Sequence, residues 1–243
     1  MASAVLKPST ALAAHGSLRQ SPERTSPMRL IADNVFQLEK SKGANGYVVR
    51  GEGRTAVVDP GMASGYHGVL AELRDARNRT GVVTDIVLTH YDVDHAQVAK
   101  RLQATLEVPV WMGTADAAIL RGDVQPPTRF RRLLDRVAHS DYPENVTEIT
   151  GTLEIFQGLL AFPTPGHTPG HIALRWQSVL LTGDSVSVTK DGDIKQFFAR
   201  PVISDKAMAR TTEKLLRERI RTDKIEWICA GHNPPTTVGQ IFS

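Results

Sequence analysis

The sequence predicts an α/β protein in which two β-sheets pack face to face with helices outside them. Two observations carry this reading. Short apolar runs punctuated by Gly and Pro come first in each half of the chain, and a helical pattern follows them in each half. No internal repeat and no obvious linker separate the halves, so residues 29–243 are read as a single domain. Residues 1–28 are read as a disordered tail. They are rich in Ala, Ser and Pro, carry no acid before Glu23, and lack the continuous apolar stretch of a cleaved signal.

The elements follow in order. Gly46 to Arg50 and Thr55 to Asp59 flank Gly51-Glu52-Gly53-Arg54 and read as a hairpin, stopped by Pro60-Gly61. Val69, Leu70 and Leu73 share one face of a helix that ends near Gly81. Asp85 to His90 reads as a buried strand, Ala96 to Leu106 as a helix, and Val108 to Trp111 as a short strand. The stretch from Gly122 to Tyr142 is basic, with Arg129, Arg131, Arg132 and Arg136, and reads as a solvated helical face ahead of an anion-binding patch. Leu153 to Phe156, Leu159 to Phe162, Ile172 to Trp176 and Val179 to Thr182 are strand-like, the last two joined tightly through Gln177-Ser178. A helix from Asp205 to Arg221 and a closing strand from Lys224 to Ala230 complete the pattern.

Composition narrows the class. Of 243 residues, 41% are apolar, 23% charged and 6% aromatic, which excludes disordered, collagen-like and disulfide-scaffold proteins. Twenty-nine Lys and Arg against 26 Asp and Glu leave a net charge of +3, too narrow an excess to imply a nucleic-acid partner. No run approaches the ~18 apolar residues of a membrane helix, so a soluble protein is expected. The one cysteine, Cys229, sits in the apolar run Ile225 to Ala230 and is read as a buried small hydrophobe, which fits a reducing, cytoplasmic compartment.

The residues with chemistry lie where strands end. His90, Asp92, Asp94 and His95 form His-x-Asp-x-Asp-His directly after a strand and at the mouth of a helix. A loop there can turn several ligands toward one point. Thr164-Pro165-Gly166-His167-Thr168-Pro169-Gly170-His171 is a loop whose prolines and glycines fix an unusual backbone path. Asp184 follows Thr182-Gly183, and His232 follows Ala230-Gly231, again at strand ends. Imidazole and carboxylate together suit zinc and related first-row ions. An Asp between His-bearing loops can bridge two ions, and two ions ~3.5 to 4 Å apart can generate hydroxide near neutral pH and clamp a reacting carbonyl or phosphoryl group.

Taken in order, Thr89-His90-Tyr91-Asp92-Val93-Asp94-His95, Pro165-Gly166-His167, Thr182-Gly183-Asp184 and Gly231-His232 resemble the metallo-β-lactamase superfamily, from about Leu30 to Phe242. Val57-Val58-Asp59-Pro60-Gly61 is similar to that family's first conserved segment. The resemblance implies an αββα sandwich of two packed mixed sheets, with helices on the outer faces and metals at one edge. It implies His90, Asp92 and His167 as a first metal site, Asp94, His95 and His232 as a second, Asp184 as the bridge, and Asp59 as a support behind the metal loop. His171 reads either as a residue orienting a ligand from behind or as a polar residue opening a strand. Asp94 reads as both ligand and catalytic hydroxide-orienting group, which is compatible with an N-cap role for the following helix.

One departure matters. Asp92 stands where the family usually has its second histidine, adding a negative charge and a harder donor to the first site. Two divalent ions are expected, zinc foremost, with manganese or iron better tolerated than by an all-imidazole set. The other reading is a weak first site and a protein that works with one ion.

The expected activity is hydrolysis of a small-molecule ester, lactone, thioester or amide by a metal-held hydroxide, with lactonase or esterase chemistry ahead of β-lactamase. A one-iron oxidoreductase of the persulfide-dioxygenase type and a non-catalytic binding protein on the same scaffold are the alternatives. Only 11 residues follow His232, too few for the C-terminal substrate domain typical of hydroxyacylglutathione hydrolases. The segment between His95 and His167 has no room for the large insert of the RNA-processing branch, so neither nucleic acid nor membrane is expected as a partner. The residues that bind substrate are not legible.

Overall fold

The computed structural model describes residues 28–138, 142–190, 193–196 and 202–238. Of the tail read at 1–28, only Met28 falls inside this range, and it is buried.

The chain opens with a meander of β1 (Arg29–Ala32), β2 (Val35–Leu38), β3 (Gly46–Arg50) and β4 (Thr55–Val58), each antiparallel to the one before. The β1–β2 turn is Asp33-Asn34, both at positive φ (44° and 65°), the conformation that matches the twist of a two-residue hairpin. After a 3₁₀ turn (Ala63–Gly65), α1 (Tyr66–Asp75) and the short α2 (Arg77–Thr80) cross back to β5 (Asp85–Val87), which lies parallel to β4. Then come α3 (Val93–Leu106), β6 (Val110–Gly113), α4 (Thr114–Leu120), α5 (Arg129–Ala138) and β7 (Val146–Ile149). The resulting seven-stranded sheet runs in simple sequence order from β1 to β7.

The second half builds β8 (Leu153–Phe156), β9 (Leu159–Pro163), β10 (Ile172–Trp176) and β11 (Val179–Gly183), then a small ribbon of β12 (Val186–Val188) and β13 (Ile194–Gln196). After α6 (Lys206–Thr222), β14 (Trp227–Ala230) enters parallel to β11, and β15 (Thr236–Thr237) closes the edge. The order is β15-β14-β11-β10-β9-β8. Both large sheets are therefore mixed, as the sequence predicts.

Alternation along the strands assigns the layers. Tyr47, Val49, Val58 and Val87 of the first sheet face Leu159, Leu174, Leu181 and Cys229 of the second in one buried cluster. The residues between them point the other way. Val48, Val57 and Ile86 pack under Val69 and Leu73 of α1 and Val98 and Leu102 of α3. Phe162, Leu180 and Ile228 pack against Leu216 and Ile220 of α6. The result is helix, sheet, sheet, helix, and because central strands such as β4, β5 and β11 are covered on both faces their apolar runs are continuous rather than alternating.

Three expectations need correction. The helix expected to begin at Ala96 begins at Val93, because Asp92 takes the N-cap position and the polar residues before Ala96 form the first turn. The strand expected to reach His90 ends at Val87. Beyond it the Thr89 N–H bonds the Asp59 carboxylate instead of a neighbouring strand. The basic stretch is not simply a solvated face, since Arg131 is 2% exposed.

Candidate metal centre

The site forms where strands of both sheets end. β4 runs into Asp59, held at φ 48°, and β5 runs into the Leu88 to Asp92 loop before α3. From the second sheet, the β9–β10 loop brings His167, the end of β11 brings Asp184, and the end of β14 brings His232. Hydrogen bonds knit this edge: Ile172 N–H donates to the Thr89 carbonyl at 2.9 Å, and Gly231 N–H to the Gly183 carbonyl at 2.9 Å.

All seven expected ligands converge. Ligand atoms of His90, Asp92 and His167 lie within 4.8 Å of one another, as do those of Asp94, His95 and His232. Asp184 stands between the two groups. Its Oδ1 is 3.6 Å from His95 Nε2, and its Oδ2 is 3.2 Å from His232 Nε2 and 3.7 Å from His167 Nε2. The His90 and His95 rings lie with centroids 4.2 Å apart and planes tilted by 51°.

The supporting bonds fix which ring nitrogens face inward. Asp59 accepts from the Thr89 N–H (2.8 Å), the Thr89 hydroxyl (2.6 Å) and His95 Nδ1 (2.9 Å). With its proton committed to Asp59, the Thr89 hydroxyl can only accept from His90 Nδ1, 2.9 Å away. Both rings thus carry the proton on Nδ1 and turn Nε2 into the cluster. His171 completes the frame. Its Nδ1 donates to the Thr164 hydroxyl (2.8 Å), and its Nε2 accepts the backbone N–H of Asp184 (3.1 Å). It is buried and stacks on His90, a place behind the ligands.

The donor set fits a cation. His90 Nε2, His95 Nε2 and Asp184 Oδ1 are buried with no hydrogen-bond partner, a costly arrangement unless something positive sits among them. Electrostatics agree. Burial opposes protonation of His95, yet Asp184 and Asp59 outweigh it and raise its pKa well above the usual value. Hydrogen bonds to Asp184 and Asp94 lift His232 to about 9. Burial would raise Asp94 and Asp184, but the neighbouring His95 and His232 hold both below the ordinary carboxylate value. The potential that holds those protons is the one that draws a metal ion, which competes with them. Burial, with Arg131 and His95 adding to it, pushes His167 down to about 3, and burial also holds His90 well below its usual value.

Two residues that sequence reasoning missed shape the site. Asp116 of α4 is fully buried and accepts from the Thr168 hydroxyl and the Gly170 N–H, both at 2.6 Å, so it clamps the loop that carries His167. Arg131 of α5 reaches Asp92 Oδ1 through Nη1, while its Nη2 lies 3.2 Å from His167 Nε2 and donates to the carbonyls of His167 and Val202. A signal for Arg131 existed in the sequence: a carboxylate in a histidine's place asks for a counter-charge, and a basic stretch follows.

Other residues with reactive or ligand-type side chains have structural places or lie beyond the described range. Tyr91 is buried, with the Arg131 guanidinium 5.3 Å from its ring centroid. The Ser185 hydroxyl donates to the Thr182 carbonyl at 2.7 Å. Cys229 is buried in the core between the sheets. His15 and His139 lie outside the described residues. No helix among the described residues is long and apolar enough to cross a membrane.

Comparison with known proteins agrees with this geometry. The sequence profile of the metallo-beta-lactamase superfamily matches residues 42–232. The Bacillus subtilis (strain 168) protein YobT, itself uncharacterized, is 27% identical over 190 residues, covering 72% of this chain and 78% of its own. A hydroxyacylglutathione hydrolase of Anaeromyxobacter dehalogenans (strain 2CP-C) is 30% identical over 143 residues, covering 58% of this chain and 45% of its own, so the match spans less than half of that relative. Among solved structures, TTHA1623 in a di-iron-bound form is 25% identical with a TM-score of 0.60, covering 81% of this chain and 91% of that one. A profile match across most of the length and a sandwich that delivers both halves of the cluster to one edge lead to the same conclusion: the chain belongs to the metallo-β-lactamase superfamily.

Proposed function

We propose that this protein is a metal-dependent hydrolase that cleaves an ester, lactone, thioester or amide bond of a small molecule. The observation that carries the reading is the convergence of His90, Asp92, Asp94, His95, His167, Asp184 and His232, with His90 Nε2, His95 Nε2 and Asp184 Oδ1 buried without hydrogen-bond partners. Bound divalent ions supply Lewis acidity for the carbonyl and lower the pKa of water. Zinc suits the imidazoles, and the carboxylate-rich set also suits manganese or iron. The di-iron form of TTHA1623 supports the latter, and the relative named for hydroxyacylglutathione hydrolysis supports thioester chemistry.

The chain's own residues divide the remaining work. His90, His95, His167 and Asp184 have nearly inaccessible side chains, whereas Asp92, Asp94 and His232 are 19%, 27% and 32% exposed. Substrate therefore approaches from the Asp94 and His232 side. Asp94 is kept ionised by its neighbours, which suits it to orient water and accept a proton rather than to act as an acid. Asp59 and His171 hold the rings and the carboxylate in place. The lone buried Cys229 is consistent with a reducing, cytoplasmic setting.

The test is a screen of zinc- and manganese-loaded protein against lactone, thioester, β-lactam and phosphodiester panels. Turnover of a carbonyl substrate is expected, with Asp94→Ala lowering kcat by about 10²- to 10⁴-fold. Activity confined to phosphodiesters, or unchanged in Asp94→Ala, overturns the reading.

A further inference from the structure

The two halves of the cluster are not equivalent, and Arg131 makes them differ. Among the described residues, Asp94 and Asp184 meet the imidazoles of His95 and His232, with Nε2 to carboxylate oxygen distances of 3.2 to 4.0 Å. His90, Asp92 and His167 share their space with a guanidinium that is 2% exposed. Arg131 occupies Asp92 Oδ1, which leaves only Oδ2 turned toward His90 Nε2 (3.4 Å) and His167 Nε2 (3.0 Å). Its Nη2 also lies 3.2 Å from His167 Nε2. A guanidinium only donates, so with the His167 proton on Nδ1 that contact takes the single lone pair with which the ring would bind an ion, and with the proton on Nε2, bonded to Asp92 Oδ2, no lone pair is there to bind one. Hydrogen bonding and ligation at that nitrogen exclude each other.

Charge points the same way. In the first group, the negative charge that Asp92 adds is cancelled by Arg131, so the group is formally neutral. The second group sets two carboxylates, Asp94 and the shared Asp184, against imidazoles, which unlike a guanidinium can give up their protons. Arg131 is also anchored from behind, by the carbonyls of His167 and Val202 and by the Tyr91 ring, so it is held in position rather than swinging in solvent.

We infer that Arg131 is a built-in counter-cation for Asp92 that depresses ion binding at the His90, Asp92 and His167 group, so that the protein holds one ion tightly, at Asp94, His95, His232 and Asp184, and a second only weakly. This inference rests on the metal-binding part of the proposed function and is independent of the substrate.

The experiment measures metal content after dialysis, with affinities by chelator competition for zinc and manganese, on the full chain and four variants. Wild type is expected to retain one equivalent and to bind a second at least about tenfold more weakly, an interval of the size that neighbours of ligands commonly control. Arg131→Gln, which removes the charge, is expected to bind two equivalents with affinities that differ less than in wild type. Arg131→Lys, which keeps it, is expected to stay near wild type. His232→Ala should strip the tight ion, whereas His167→Ala should leave it. Two equally tight equivalents in wild type overturn the inference whether or not Arg131→Gln folds, as does loss of the tight ion in His167→Ala alone. A chain that binds no metal overturns both the inference and the proposed function, while one tight ion without hydrolysis overturns the proposed function only.

Discussion

The backbone N–H of Asp184 donates to Nε2 of His171, so the carboxylate facing both ligand groups is aimed by an imidazole that turns its own acceptor nitrogen away from the cluster. His171→Phe keeps an aromatic ring beside His90 but removes the acceptor. A buried N–H without a partner costs about 1–3 kcal/mol. Thermal melts should show that loss, and chelator competition should show metal affinity falling about tenfold or more. Unchanged affinity would assign His171 to packing alone.

Asp59 controls which nitrogen of His95 is bare. Asn tolerates the positive φ at this position, so Asp59→Asn leaves the backbone path intact. The amide oxygen can still accept the Thr89 N–H, but the amide nitrogen then opposes His95 Nδ1 and favours the other tautomer. Metal affinity at the group containing His95 should drop about 10- to 100-fold. Nitrogen-15 chemical shifts of the His95 ring would report the switch directly.

Asp116 makes a testable pH dependence. Burial lifts its carboxyl from 3.8 to about 7, against the hydrogen bonds from Thr168 and Gly170. Between those values the folded state binds a proton that the unfolded chain has released. Its contribution to stability is therefore complete below about pH 4 and declines as pH rises toward 7, by about 1.4 kcal/mol per pH unit. Asp116→Asn cannot titrate, and the Thr168 hydroxyl can turn to accept from the new amide. Urea titrations at several pH values should show the difference between wild type and variant changing across this window; a constant difference would count against it.

Gly231 leaves room for the cluster. A Cβ there would lie 2.2 Å from Asp184 Oδ1 and 2.7 Å from His95 Cε1, so one or both must shift. Gly231→Ala should cost about 1–3 kcal/mol by overpacking and should release bound metal. Retention of full metal content would mean that Asp184 is less fixed than its bonds indicate.

The seven clustered residues were legible because ligand-type side chains sat directly after apolar strands, a local pattern. Arg131 and Asp116 were not, because each acts across tens of residues through a contact only the fold creates: Asp116 on Thr168 and Gly170, Arg131 on Asp92. Short elements also escaped notice. α4 spans seven residues, and β12 and β13 three each, too few for a period to register. The first turn of α3 is hidden for a related reason, since Asp92 to His95 owe their positions to the cluster and not to an apolar face.

The edge that carries the cluster is sewn by the polypeptide itself. Tyr47 and Asn45 of the first half reach the Ala230 carbonyl, Asn45 N–H reaches Gly231, and Ile172 N–H reaches Thr89. Three apolar clusters fill the layers. These seams run through backbone and core atoms and not through the ligand side chains, so chelation is expected to leave both leaves of the sandwich joined while the bare atoms of His90, His95 and Asp184 lose their counter-charge.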